Sequence, residues 1–393
     1  MKKNLGWIVV AWWVFFTAGC TGGVQQTPRP VEPARQPAEK KPLVLPAKAQ
    51  IWAPLIERLS NDGFDVQEMA ALYSRGGVYY DPEPMSRKLR ELLRVLYGAD
   101  TIKGVQRGLA SLGYTPGTPD GRAGTNTRNA IKAYQEAYGL EPDGEPSEEL
   151  LAHITRVQAL PPEQRATPKV TLTTKTQSDQ VYSSVMKSQQ LSESLEFMRT
   201  HAESLERMTG MYGVPGEIAV AIITVETRLG KQVGKNSAFL VLSGMALSRD
   251  FSVLEPYLGD LEMDADKREW LRQKALERGD WAYAELSGLL SYAGKNKLDP
   301  LGLPGSVYGA IGLCQFMPSN VSKFGADGNG DGIVNLFDVS DAVHSVGRYL
   351  RENGWKGDMS STARKREVIY RYNKSGTYVN TVLAVAEYLR KAR

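Results

Sequence analysis

The chain has 393 residues, 42% hydrophobic and 23% charged, with a formal net charge of +4. That length predicts two or three globular units, and the ordinary composition predicts that most of the chain buries a core. Lysine and arginine are scattered among aspartate and glutamate with no basic stripe, which argues against nucleic acid as a partner; the two cysteines and three histidines (His153, His201, His344) are not closely spaced, which argues against a zinc amidase or zinc peptidase.

Residues 1–20 read as an export signal. Lys2 and Lys3 form a positive start, and Leu5 to Phe16 form an apolar run shorter than the roughly 20 residues that span a bilayer. Thr17-Ala18-Gly19-Cys20 resembles the bacterial lipobox, with Thr17 where leucine is usual. The resemblance implies cleavage before Cys20, lipidation of its sulfur and membrane anchoring, since several acyl chains on one residue hold stably. The alternative is an ordinary signal peptide with an incidental cysteine. Thr21 follows the cysteine, which by analogy with enteric lipoproteins implies the periplasmic face of the outer membrane. Residues 21–50 are rich in Pro, Gln, Ala and Lys and form a linker that cannot bury enough apolar surface to fold. In polyproline form it extends about 3 Å per residue and holds the body away from the bilayer.

Residues 51–98 read as helical. In residues 99–156, Val105, Leu109 and Leu112 recur at helical spacing before Gly113-Tyr114. Pro119-Asp120-Gly121 is a turn, with Thr125 or Asn126 as cap of the next helix, whose apolar face carries Ala130, Ile131, Tyr134 and Tyr138. Pro142-Asp143-Gly144 repeats the turn triplet and hints at an internal pseudo-repeat. The string Val105-Gln106, Leu109, Leu112-Gly113-Tyr114, Asp120-Gly121, Gly124, Thr127, Ala130-Ile131, Tyr134-Gln135 resembles the small three-helix peptidoglycan-binding module. Wall binding is the expectation; a purely structural unit is the alternative. Residues 157–180 are Thr-rich and polar and read as a linker.

Residues 181–393 form the largest unit. Ser192 to Met211 is an amphipathic helix, with Leu195, Met198, Leu205 and Met208 on one side. Val214-Pro215-Gly216-Glu217 opens a helix whose run Ile218 to Ile223 has no charge, so it is buried nearly all round; Gly230 is its expected C-terminal cap. Glu226 falls at the end of this run. Desolvation and the helix C-terminus both disfavour its charged form, which suits a general acid. The alternative is an exposed Glu226 paired with Arg228.

Downstream stand the glycine-dense Gly305-Ser306-Val307-Tyr308-Gly309-Ala310-Ile311-Gly312, then Leu313-Cys314-Gln315-Phe316-Met317-Pro318-Ser319, and near the end Arg371-Tyr372-Asn373-Lys374-Ser375 with Tyr378. Together with Val225-Glu226-Thr227-Arg228, these resemble the lysozyme-like domain of the B-type lytic murein transglycosylases, and Pro54 to Leu72, with Gly63-Phe64-Asp65, resembles that family's N-terminal helices. The resemblance implies a mainly α fold: a lysozyme-like catalytic domain plus a small three-helix peptidoglycan-binding domain, inserted between two parts of the catalytic fold. It implies that Glu226 protonates the glycosidic oxygen between N-acetylmuramic acid and N-acetylglucosamine and then serves as base while the sugar's 6-hydroxyl attacks, leaving a 1,6-anhydro end. It also implies that Ser306, Gln315, Tyr372 and Asn373 line the sugar site, with peptidoglycan as partner and no organic cofactor.

The chain departs from the family between Leu240 and Leu298, with an extra amphipathic helix near Asp266 to Glu277 and no clear match for the family's paired arginines. Cys314 replaces a glycine and reads as a small buried hydrophobe. Two rivals remain: a muramidase of the same fold, which needs a second carboxylate such as Asp299 facing Glu226, and an inactive wall-binding structural lipoprotein.

Asp327-Gly328-Asn329-Gly330-Asp331-Gly332 fits the start of an EF-hand loop, with the backbone carbonyl of Ile333 at the seventh position. Asp338 stands where glutamate is usual and is shorter, which leaves bidentate ligation to a neighbour such as Asp341. The expectation is a structural calcium ion beside the site; the alternative is a metal-free turn held by side-chain to backbone hydrogen bonds.

Overall fold

Residues 45–168, 180–259, 261, 263–357 and 359–392 are described by the structure, a computed structural model. The expected export signal, Cys20 and most of the Pro-rich linker lie outside these residues, as does the middle of the linker expected at 157–180. The fold is mainly helical, as expected, with one short antiparallel pair of strands among the described residues. No single helix among them is long and apolar enough to cross a membrane.

The chain opens with α1 (Ala53–Asn61) and α2 (Val66–Tyr73). Asp65 caps α2, accepting from the backbone N–H groups of Gln67 and Glu68 at 2.8 Å each. Both helices lean on α9 (Ala238–Leu247), where the Tyr73 hydroxyl meets Ser243 Oγ at 2.8 Å in the core and the Tyr73 ring lies between Trp52 and Phe239. Next comes α3 (Glu83–Ser111), a single helix of 29 residues. Its first half packs on α9 and on α11 (Ala265–Lys295); its second half is the first helix of the small unit completed by α4 (Thr125–Ala137) and α5 (Glu148–Gln158). Val105, Leu109, Tyr114, Ile131, Tyr134 and Ile154 form the core of that unit.

The two Pro-Asp-Gly turns of the small unit adopt the same arrangement. Gln106 donates to Asp120 Oδ1 (3.1 Å) and accepts from Gly121 N (3.0 Å), while Gln135 donates to Asp143 Oδ1 (2.7 Å) and accepts from Gly144 N (2.9 Å). Each helix thus clamps the turn that follows it through one glutamine. The expected cap of α4 is corrected: Gly124 occupies the cap position, Thr125 is the first helical residue, and no side chain caps the helix.

The larger unit surrounds α8 (Gly216–Thr227). Ile218 to Thr224 are all buried, and α15 (Gly376–Ala392) and α6 (Ser188–Thr200) pack along it. Each of its large aliphatic side chains contributes about 1.5–3 kcal/mol through burial. The helix expected over 192–211 is two helices, because the chain turns at His201 (φ −107°, ψ 23°) between α6 and α7 (Ala202–Tyr212). The extra helix expected at 266–277 is the first part of the 31-residue α11. The remaining helices are α10 (Phe251–Leu254), α12 (Pro318–Phe324), α13 (Val339–Glu352) and α14 (Thr362–Tyr372).

The strands β1 (Asn236–Ser237) and β2 (Pro304–Gly305) pair antiparallel, and single bridges join Gly305 to Ile311 and Ile311 to Phe316. Gly234 enters this wall at φ +105°, and a Cβ there would lie 1.9 Å from the Gly305 carbonyl oxygen, so only glycine fits.

Candidate active site

Glu226 lies in the last turn of α8 and is half-buried. Its partner is not Arg228. Tyr378, on the first turn of α15, donates its hydroxyl to Glu226 Oε1 at 2.7 Å. Burial pushes the Glu226 carboxyl up from its ordinary range to about 7, against the opposing hydrogen bond from Tyr378. The same burial, with the Glu226 charge beside it, raises the Tyr378 hydroxyl, which therefore stays protonated and remains a donor.

The helix ends differently from expectation. Arg228 (φ 49°) and Leu229 (φ 61°) take left-handed backbone before Gly230 (φ 86°), so two non-glycine residues carry the turn. Such residues store strain, which the surrounding contacts must hold. Thr227 supplies one: its buried hydroxyl donates to the Leu313 carbonyl at 2.9 Å and accepts from Gly230 N at 3.0 Å. Helix α8 is thereby tied to the loop that carries Cys314 and Gln315.

Tyr372 closes this side. Its hydroxyl donates to the Cys314 carbonyl at 2.6 Å, and its ring stacks on that of Tyr378 with centroids 6.3 Å apart and planes 10° apart. Cys314 is fully buried, and burial pushes its thiol up to about 12, so it is no nucleophile at neutral pH. Gln315 sits at φ 49°; its amide donates to the Val233 and Gly312 carbonyls at 3.2 and 3.0 Å, which leaves Oε1 as an acceptor. Ser306 Oγ accepts from Tyr308 N (3.3 Å) and Ala310 N (3.0 Å), so its O–H proton remains available to donate. Asn373 is exposed at the C-terminal cap of α14. Glu226, Tyr372 and Gln315 are thus joined through Tyr378 and the 313–315 backbone, while Ser306 joins them through the Gly305–Ile311–Phe316 bridges.

Asp299 is engaged elsewhere. Both its oxygens accept from Arg75, at 2.6 and 2.8 Å, and that guanidinium holds the carboxyl below its usual range. The rise at Glu226 comes from burial and not from a neighbouring carboxylate. Sequence reasoning placed Tyr378 in the motif without a role and gave Thr227 none; neither spacing reveals a hydroxyl aimed at a residue far along the chain.

The loop from Asp327 is organised by its own side chains. Asp327 accepts from Gly330 N and Gly332 N (2.6 and 2.7 Å), Asn329 from Asp331 N (2.9 Å), and Asp331 from Ile333 N (2.8 Å). Asp338 caps α13 by accepting from Asp341 N at 3.2 Å. Asp341 is fully buried and accepts from Gly328, Asn329 and Asn335 N–H groups at 2.8, 3.4 and 2.7 Å. Gly328 is required there, since a Cβ would lie 2.3 Å from the Ser340 carbonyl oxygen. Among the described residues no group of three His, Cys, Asp or Glu side chains is gathered closely enough to hold a metal by itself, so an ion in this loop would also draw on Asn329 and the Ile333 carbonyl.

Removing the Tyr378 hydroxyl tests its part in the site. Tyr378→Phe is expected to raise the Glu226 pKa further, because a bond favouring the carboxylate is lost. The alkaline limb of the pH–rate profile should shift upward and turnover fall roughly tenfold; an unchanged profile would remove Tyr378 from the acid's environment.

The site thus consists of a half-buried acid with one tyrosine partner, on a helix tied through Thr227 to the glycine-dense segment that carries Ser306 and Gln315. The family described as Transglycosylase SLT domain matches residues 128–366, and the chain belongs to that family. The family described as Putative peptidoglycan binding domain matches residues 99–154. The chain is similar to the membrane-bound lytic murein transglycosylase B of Escherichia coli (strain K12), at 34% identity over 163 residues. That match spans 41% of this chain and 38% of the relative. In structure it is similar to a soluble lytic transglycosylase of Pseudomonas aeruginosa (TM-score 0.45, 24% identity, 68% of this chain and 99% of the other). It is also similar to an Escherichia coli lytic transglycosylase solved in complex with calcium (TM-score 0.44, 24% identity, 53% and 77%).

Proposed function

We propose that the protein is a lytic transglycosylase of peptidoglycan, cleaving the bond between N-acetylmuramic acid and N-acetylglucosamine with Glu226 as its single acid and base. The observation that carries this is the Glu226 carboxyl, raised to about 7 by burial, with Tyr378 as partner and Asp299 paired to Arg75. At neutral pH a large share of Glu226 is protonated. It gives that proton to the glycosidic oxygen as the bond from the muramyl C1 breaks. The carboxylate left behind accepts the proton of the same sugar's 6-hydroxyl as that oxygen bonds to C1. Proton and electron pairs balance without water, and the product is a 1,6-anhydromuramyl end. A muramidase of the inverting or double-displacement kind needs a second carboxylate, and Asp299 is committed to Arg75.

The free Ser306 O–H and Gln315 Oε1 suit acetamido and hydroxyl groups, and Tyr372 and Asn373 line the same side. The module of α4, α5 and the second half of α3 holds the wall, and Cys20 anchors the chain by lipid to the periplasmic face of the outer membrane. Asp327, Asn329, Asp331 and the Ile333 carbonyl would hold calcium: each carboxylate keeps lone pairs beyond those given to backbone N–H groups, and the set is all oxygen. The ion would stiffen the loop that precedes α13; no step of the reaction passes through it. Asp338 and Asp341 then act as cap and backbone brace.

Mass spectrometry of fragments released from purified peptidoglycan by the lipid-free protein tests the activity. Anhydromuramyl ends are expected. Reducing muramyl ends would replace this reading with a muramidase, and wall binding without release would leave a structural lipoprotein.

A further inference from the structure

Two links join the small unit to the two sides of the site. On one side α3 itself is the link: Glu91 Oε1 accepts from the Tyr308 hydroxyl at 2.7 Å, and Lys88 Nζ lies 4.9 Å from the centre of the Tyr308 ring. Tyr308 belongs to the wall that carries Ser306, and the same helix runs on into the core of the binding module through Val105 and Leu109. On the other side the link is Gln180. Its Nε2 donates to Thr125 Oγ1, the first residue of α4, at 2.9 Å, and its carbonyl accepts from Asn380 Nδ2 at 2.9 Å. Two residues on, Tyr182 N donates to Thr381 Oγ1 at 2.9 Å. Asn380 and Thr381 lie two and three residues after Tyr378 on α15, and Tyr378 holds Glu226.

A short path of direct contacts therefore leads from the acid to the start of α4: Glu226, Tyr378, the α15 backbone, Gln180, Thr125. On this path Gln180 is exposed, as are Asn126, next to Thr125, and Arg122, two residues before the α4 cap Gly124, and they offer amide and guanidinium groups. Sugar hydroxyls, acetamido groups and lactyl carboxylates pair with groups of that chemistry.

We propose that a glycan strand seated over Glu226 continues across Gln180 onto the α4 end of the binding module, so that cleft and module grip one strand. This rests on the reading of the protein as a peptidoglycan-cleaving enzyme and goes further, because a module joined by a free linker would grip any nearby strand. Its consequence is a dependence on strand length: each sugar that reaches the module adds contacts that a short fragment cannot make.

The test uses the lipid-free Glu226→Gln protein, which binds without consuming its ligand, and peptide-free glycan strands separated by length. Dissociation constants are expected to fall as strands lengthen from a tetrasaccharide and then level off. Adding Gln180→Ala and Asn126→Ala together should shrink the long-to-short affinity ratio by about threefold to tenfold, the range for losing one or two net hydrogen bonds. Affinity independent of length, or a ratio untouched by the two substitutions, would overturn the proposal. Failure of the enzymatic reading shows separately, as absence of cleavage by the protein that retains Glu226.

Discussion

Glu226→Gln is expected to lower turnover of peptidoglycan by roughly 10²- to 10⁴-fold, the range that one positioned acid and base supplies. The amide is close in size and its oxygen still accepts from Tyr378, so folding should survive and the loss should lie in turnover. In the protein that keeps Glu226, activity should fall as pH rises through about 7, where the acid loses its proton. Stability should follow the same titration. A carboxyl whose pKa is raised on folding is fully tolerated below its ordinary value near 4.5, and the stability is lost as pH rises through about 7. Glu226→Gln removes that loss and should stabilise the protein at pH 8 by on the order of 2 kcal/mol, less than the full shift implies because solvent reaches the half-buried group. The two variants should melt alike near pH 4. Retained turnover in Glu226→Gln, or a melting difference independent of pH, would separate this residue from the chemistry.

The second large effect is expected at Asp341. Its fully buried carboxylate satisfies three backbone N–H groups on both sides of the Asp327–Ile333 loop. Asp341→Ala leaves those donors without partners and opens a small void beneath the loop, at a cost of about 2–4 kcal/mol. Thermal melting would show it directly. Calcium should raise the melting temperature of the parent and do so far less in Asp341→Ala, because the variant must first order the loop. An Asp331→Asn variant separates brace from ligand: it should keep most of the metal-free stability and lose most of the calcium response. If calcium does not move the melting temperature of the parent, the loop is a braced turn, and the stability loss in Asp341→Ala remains as its signature.

Short-range chemistry was legible in the sequence. The uncharged run Ile218 to Ile223 marked a helix buried all round, and its end left Glu226 either a desolvated acid or an exposed partner of Arg228, a choice that burial and Tyr378 decided. The paired Pro-Asp-Gly triplets marked turns, and the helical spacing of Val105 and Leu109 marked the small unit's core. Asp327 to Gly332 marked a loop of the EF-hand pattern, expected to hold calcium, and its short polar side chains do bond the loop's own backbone. Each depends on residues within a few positions of one another, where dihedral preference and side-chain reach settle the outcome.

Where the sequence stopped, the deciding contacts were distant or matched two nearly equal local choices. The break at His201 divides a pattern whose apolar spacing is continuous, because packing of α6 on α8 and of α7 on α13 requires two directions. Spacing put Asp338 at the twelfth loop position with Asp341 as a neighbouring ligand; the depth of Asp341 made it the brace and the start of α13 made Asp338 the cap. Asp299 was an open candidate until Arg75, 224 positions away, took both its oxygens. Tyr378 reaches Glu226 across 152 positions, and nothing local distinguishes it from a core tyrosine. Such partners are selected by how whole helices pack, and that packing is chosen by the summed burial of many side chains, so no single stretch of sequence carries the information.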